Sequence, residues 1–212
     1  MNRFQARALD LLSSEGTQRA FRIFEEPAAT RDAYGRTRIG QSLLLTRRLI
    51  EVGVPLVTVN WIDPTKIDGV NTCWDTHQKN FPKLKNLLCP MFDQSFPMFL
   101  DDLDNRGLLD TTLVVAMGEF GRTPRVNKNA GRDHWARSWS VVVGGGGING
   151  GIAVGATNEN GTRVDTEPYT SQDVMASICK ALGISLQTTF TSNSGRPMKI
   201  ANSGKVIKEL FS

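Results

Sequence analysis

Residues 110–147, DTTLVVAMGEFGRTPRVNKNAGRDHWARSWSVVVGGGG, constrain what this chain can fold into more than any other stretch. Within them, residues 111–116 and 140–143 are apolar, β-branched runs without apolar/polar alternation, each followed closely by glycine. That pattern predicts two fully buried strands. Between them lies a polar loop carrying Glu119, Arg122, Arg132, Asp133 and His134. In a mostly parallel α/β sheet, ligands collect beyond the carboxyl ends of the strands, so chemistry is expected just after residue 116, where Glu119 sits.

The upstream chain alternates helix and strand. Residues 38–52 place Ile39, Leu43, Leu44 and Ile50 on one helical face, with Gly53 at a favoured stop position. Residues 54–60, VPLVTVN, read as a strand opening into a loop, 61–76, rich in Asp, Asn, Pro and Gly. From Leu84 to Leu103 the apolar residues keep helical spacing for over five turns; Pro82 suits a first turn, whereas Pro90 and Pro97 should kink or divide the helix. Strand, helix and strand over residues 54–116 therefore predict a right-handed parallel unit. The expected fold is one α/β domain over residues 1–212, a mostly parallel sheet flanked by helices. In it, residues 1–36 form a peripheral helical segment, 37–190 the sheet and helices, and 191–212 a tail with a small strand and a short helix. The run GGGGINGG at 144–151 predicts a tight turn into a hairpin arm, and Thr170 or Ser171 should cap a helix ending at Leu182 before Gly183.

Composition excludes several classes. The net charge of +4 comes without a run of five basic residues, which argues against nucleic acid as a partner. Cys73, Cys89 and Cys179 are odd in number and widely separated, so they read as buried thiols, not as a thiolate zinc site or a disulfide framework. No apolar run is long enough to span a bilayer and the first residues lack a secretory apolar region, so the chain as written reads as cytoplasmic. Nothing in it specifies an oligomeric state.

The chain has only two histidines, and each stands beside a carboxylate, in Asp75-Thr76-His77 and Asp133-His134. In extended backbone, an Asp-x-His spacing puts both side chains on the same side, where they can share one divalent ion such as zinc, calcium, manganese or magnesium. The same residues also allow a plain structural reading, in which His77 caps the following helix and His134 packs against Trp135. Arg122 and Arg132 are the catalytic candidates, suited to gripping an oxyanion bidentately, although loop arginines commonly serve as salt-bridge partners.

The phrases WDTHQKNFPKLKNLL, LDNRGLLDTTLVVAMGEFGRTPRVN, GRDHW and VVVGGGGINGGIAVGATN resemble the carboxyl-terminal half of a bacterial family known as domain of unknown function 1501. The resemblance runs from about Phe21 to the end. That family is usually grouped with the sulfatases and the alkaline phosphatase superfamily. The resemblance implies a metal-dependent hydrolase of phosphate or sulfate monoesters, acting on a small anionic ester substrate. It implies that Asp75 and His77 match an upstream metal pair, that His134 matches a later histidine ligand, and that Glu119 falls near a strand-end aspartate. Phe120 falls where the superfamily has histidine, which puts a second metal site in doubt. In a rival register Asp133-His134 is itself the Asp-His pair, and in the first register Asp133 ligates or orients His134.

The superfamily's nucleophile and a further metal aspartate lie near its first strand, and no counterpart stands in this sequence. The expectation is thus an amino-terminally incomplete hydrolase domain whose longer form carries an export signal. The alternative is a catalytically silent binding or assembly module that keeps the fold.

Overall fold

The computed structural model describes residues 3–61, 66–67, 70–71 and 73–211. Its contacts fall into two compact units, one comprising residues 1–108 and 127–131, the other residues 109–126 and 132–212.

The first unit is helical. Helices α1 (Arg3–Ser13) and α2 (Glu15–Ala20) meet at Ser14, whose hydroxyl accepts the Thr17 amide and caps α2. A short α3 (Ala28–Ala33) precedes α4 (Arg38–Glu51), where Thr37 accepts the Gly40 amide. Gly53, at φ 82°, closes α4 as the sequence predicts, its N–H donating to the Ile50 carbonyl. Residues 54–60 form no ladder among the described residues, and Leu56 is 80% exposed. A two-residue ribbon follows, β1 (Lys66–Ile67) against β2 (Val70–Asn71).

After it come α5 (Asn80–Lys83), a π turn (Leu84–Leu88) and α6 (Cys89–Asn105). Pro90 has no N–H for the carbonyl one turn back, and the chain accommodates it by widening: the Cys89 amide reaches the Leu84 carbonyl. Pro97 lies inside α6. Helices α4 and α6 pack together, and Tyr34, Leu44, Leu88, Phe99 and Leu103 form the core.

That core also encloses Arg47, whose side chain is 2% exposed. Its Nε donates to Asp102 at 2.9 Å and its Nη1 to Glu51 at 2.7 Å. Its Nη2 lies 3.0 Å from Glu26 at an angle too poor for a hydrogen bond, so that contact is electrostatic. The Tyr34 hydroxyl donates to Asp102 at 2.8 Å, Arg106 bonds both Asp102 and Glu51, and Arg48 pairs with Glu26. Three arginines thus meet three carboxylates, which lets the cluster stay buried without net charge.

The second unit contains strands β3 (Val114–Met117), β4 (Gly121–Arg122), β5 (His134–Trp135) and β6 (Val141–Gly144), followed by helix α7 (Ser171–Ala181) and the hairpin β7 (Thr189–Thr191) with β8 (Pro197–Lys199). The chain mixes helix and strand as expected, but every described ladder is two-stranded and antiparallel, and no parallel pairing occurs among the described residues. The two apolar runs of the 110–147 stretch pair with each other, Val115 opposite Val143, with the shorter β4–β5 ribbon nested between them. A local hairpin needs no crossover, whereas the parallel partner expected at residues 54–60 makes no ladder. The strands are also half-buried, not fully buried: Met117 is 56% and Val142 53% exposed, on opposite faces of the ribbon, because a two-stranded ribbon leaves part of each face uncovered.

Gly145 and Gly146, both at positive φ, turn the chain back against residues 109–113, where an added Cβ on Gly145 would overlap the Thr112 carbonyl. The glycine run is therefore a close-approach turn. The arm beyond it makes a single bridge, Thr157 with Val164, around a turn that the Asn158 side chain holds through the Thr162 and Arg163 amides.

Thr170 caps α7 in a reciprocal box with Asp173, which also accepts the Lys205 amide at 2.7 Å. Those backbone donors, from Lys205 first and then Thr170, hold the Asp173 carboxyl below its usual range. Thr170→Ala is expected to lower stability by about 1 kcal/mol, read as a fall in the urea midpoint at constant slope.

Candidate metal centre

Alternation along extended backbone builds the first part of the site. In Asp75-Thr76-His77 the middle side chain turns inward, 1% exposed, and its hydroxyl donates to Asn80 Oδ1. The flanking side chains turn outward together, and His77 Nε2 lies 3.0 Å from Asp75 Oδ1, with side chains 44% and 52% exposed. His77 does not cap the next helix: α5 begins after Lys79, at φ 51°, without a side-chain cap.

Residues 127–131 belong to the same unit and clasp this segment. Asn127 Oδ1 accepts the Asn129 and Gly131 amides, folding the loop on itself, while Asn127 Nδ2 donates to the His77 carbonyl at 3.0 Å. The Lys79 and Asn80 amides donate to the Asn129 and Ala130 carbonyls. Gly131 lies so close that an added Cβ would overlap the His77 carbonyl group. His134 is three residues further on, so the chain can carry it no more than about 11 Å from that contact.

One ligand atom from each of Asp75, His77 and His134 lies within 4.8 Å of the other two. Asp75, His77 and His134 are therefore a possible metal-binding triad. Sequence reasoning missed the clasp on the His77 segment; the Asn and Gly of NKNAG signal a turn but not what the turn grips.

A family model described as "Protein of unknown function (DUF1501)" matches residues 1–211. The chain belongs to that family. No curated protein and no solved structure matches it. The WDTH and GRDHW phrases of this chain supply Asp75, His77 and His134.

The other residues singled out in this DUF1501 chain fall as follows. Glu119 follows β3 and is exposed, and neither it nor Asp133 joins the triad among the described residues. The Asp133 backbone is tied to Thr123 in both directions, with Thr123 N donating to Asp133 O at 2.9 Å and Asp133 N donating to Thr123 Oγ1 at 3.1 Å. Arg132 Nη1 donates to the Thr123 and Pro124 carbonyls at 2.6 and 2.7 Å, bracing the loop. Arg122 stands directly opposite His134 in the β4–β5 ladder, and its Nη1 donates to the Arg132 carbonyl at 3.3 Å. The His134 ring packs on Phe120, with centroids 4.2 Å apart, whereas Arg137 lies over the Trp135 ring. Trp61 and Trp74 pack edge-to-face at 5.2 Å and both contact Phe92.

Proposed function

We propose that this chain binds a divalent metal ion through Asp75, His77 and His134 and serves the metal-dependent hydrolysis of phosphate or sulfate monoesters. The observation that supports the reading is the approach of three donors from distant parts of the sequence to within 4.8 Å. The donor set fits the group: two imidazoles and one carboxylate suit zinc or another borderline ion better than calcium or magnesium, which favour oxygen-rich shells. Three protein ligands also leave a coordination position for substrate. When bound, such an ion supplies a Lewis acid that draws electron density from a phosphoryl or sulfuryl oxygen. Asp75 offsets the ion's charge and, through its contact with His77, orients that imidazole. Arg122, paired across the ladder with His134, adds a fixed positive charge beside the site and suits an anionic ester oxygen. Arg132 holds the intervening loop in shape through the Thr123 and Pro124 carbonyls.

Zinc titration by calorimetry, followed by assay of aryl phosphate and aryl sulfate esters, tests the reading. About one ion per chain is expected, with Asp75→Ala weakening affinity by more than about 100-fold, beyond what loss of an outer partner costs. Turnover should require the ion and vanish in the same variant. Affinity unchanged by Asp75→Ala and His134→Ala would remove the metal reading, whereas tight binding without turnover of either ester would replace the hydrolase with a metal-bearing binding module.

A further inference from the structure

We propose that Phe120 is a positioning residue for His134, its ring fixing the plane in which the imidazole presents its nitrogens. The β4–β5 ladder pairs Arg122 with His134, so both side chains leave the same face of the ribbon. Phe120 precedes Arg122 by two residues, and its ring meets the imidazole at a centroid distance of 4.2 Å and an interplanar angle of 40°. The Arg122 guanidinium carbon lies 5.9 Å from the same ring, on the outer margin of a cation–π contact. The terminal torsion of a histidine side chain is by itself broad. A flat aromatic neighbour at stacking distance removes much of that freedom before any ligand arrives.

Gly121 keeps the ribbon tight enough for this, because a Cβ there would overlap the Ser138 carbonyl. The sequence G-E-F-G-R thus combines a close-approach glycine, a ring for the imidazole and a cation across the ladder. The geometry lies wholly within the second unit. Its purpose rests on the metal-site reading above.

The test uses the two-histidine composition of the full chain, since His77→Ala leaves His134 as the single imidazole in the proton spectrum. Nuclear Overhauser contacts between the Phe120 and His134 rings, and upfield displacement of the imidazole protons, are expected in that background. Phe120→Leu and Phe120→Met should both return those protons toward their peptide positions, while Phe120→Tyr retains the displacement. With both histidines present, Phe120→Leu should weaken zinc binding about tenfold, the lower end of the loss seen when a ligand's outer partner is removed, and Phe120→Tyr should restore it.

Absence of ring-to-ring contacts, or imidazole signals unmoved by both apolar variants, overturns the proposal without reference to any metal. So does displaced imidazole signal with zinc affinity unchanged, which makes the contact mere packing. If the parent chain binds no zinc, the metal reading fails, and the ring contacts alone then decide whether Phe120 sets the imidazole plane.

Discussion

Arg47→Met is expected to lower the unfolding free energy by about 3–5 kcal/mol, a large part of the 5–15 kcal/mol that holds a typical domain together. The substitution preserves much of the side chain's volume and removes only the charged fork, so packing loss contributes little. What remains is an imbalance: Glu26, Glu51 and Asp102 would face Arg48 and Arg106 alone, leaving one net negative charge among groups of which Glu26 and Asp102 are 10% exposed. Tyr34 and Arg106 still donate to Asp102, which keeps the expected cost nearer the lower end. Urea unfolding checks the magnitude. A cycle with Asp102→Asn isolates the Arg47–Asp102 term, which should reach at least about 0.5 kcal/mol for groups in direct contact.

The same cluster predicts a pH dependence. Burial pushes the Glu26 carboxyl up, but the contacts and positive charge of Arg47 and Arg48 outweigh it and leave the group below its usual range. Burial likewise pushes the Asp102 carboxyl up, and the Arg106, Tyr34 and Arg47 contacts outweigh it, leaving a net lowering. A carboxyl depressed in the folded state stabilises fully above its unfolded pKa, near 4 for ordinary carboxylates. That stabilisation fades as pH falls through the lower folded value. Stability of the parent chain should therefore drop steeply below about pH 4, and Arg47→Met should flatten that limb. Parallel acid limbs in the two proteins would show that these carboxyls owe nothing to Arg47.

Gly131→Ala is expected to combine instability with loss of the metal centre. The added methyl meets backbone, the His77 carbonyl group, which has no flexible tail to swing aside. Overpacking of this kind costs typically about 1–3 kcal/mol. The larger consequence is positional, because relief requires the loop to lift from His77 and takes His134, three residues on, with it. Zinc affinity should fall by more than about tenfold, since ligand atoms must sit near 2 Å from one ion. Ala130→Gly serves as the control: Ala130 already holds φ 54°, where glycine is at ease, so zinc binding should persist. Equal zinc affinity in Gly131→Ala and the parent would show that the clasp does not place His134.

Local signals carried what the sequence made legible. Gly53, Thr170 and Gly183 mark ends of α4 and α7 because capping chemistry acts over four or five residues. The inward turn of Thr76 between two outward ligands follows from the two-residue period of extended chain. Other features depend on partners far along the chain. That Arg47 is buried on Asp102, fifty-five residues later, has no local signature. The apolar character of residues 111–116 and 140–143 foretells strands but not that they pair with each other, nor that the ribbon stays partly exposed on both faces. Pro90 signals a break, yet not that the helix widens into a π turn over Leu84–Leu88.

The excursion of residues 127–131 also bears on the order in which the polypeptide matures at the ribosome. Residues 1–108 emerge before residues 127–131, so the Lys79 and Asn80 amides find their acceptors only after Asn129 and Ala130 have been synthesised. Until then the segment bearing Asp75 and His77 lacks its clasp, so the nascent first unit remains unfinished through translation of much of the following hairpin, and a chaperone or a cleaving protease would meet it in that state.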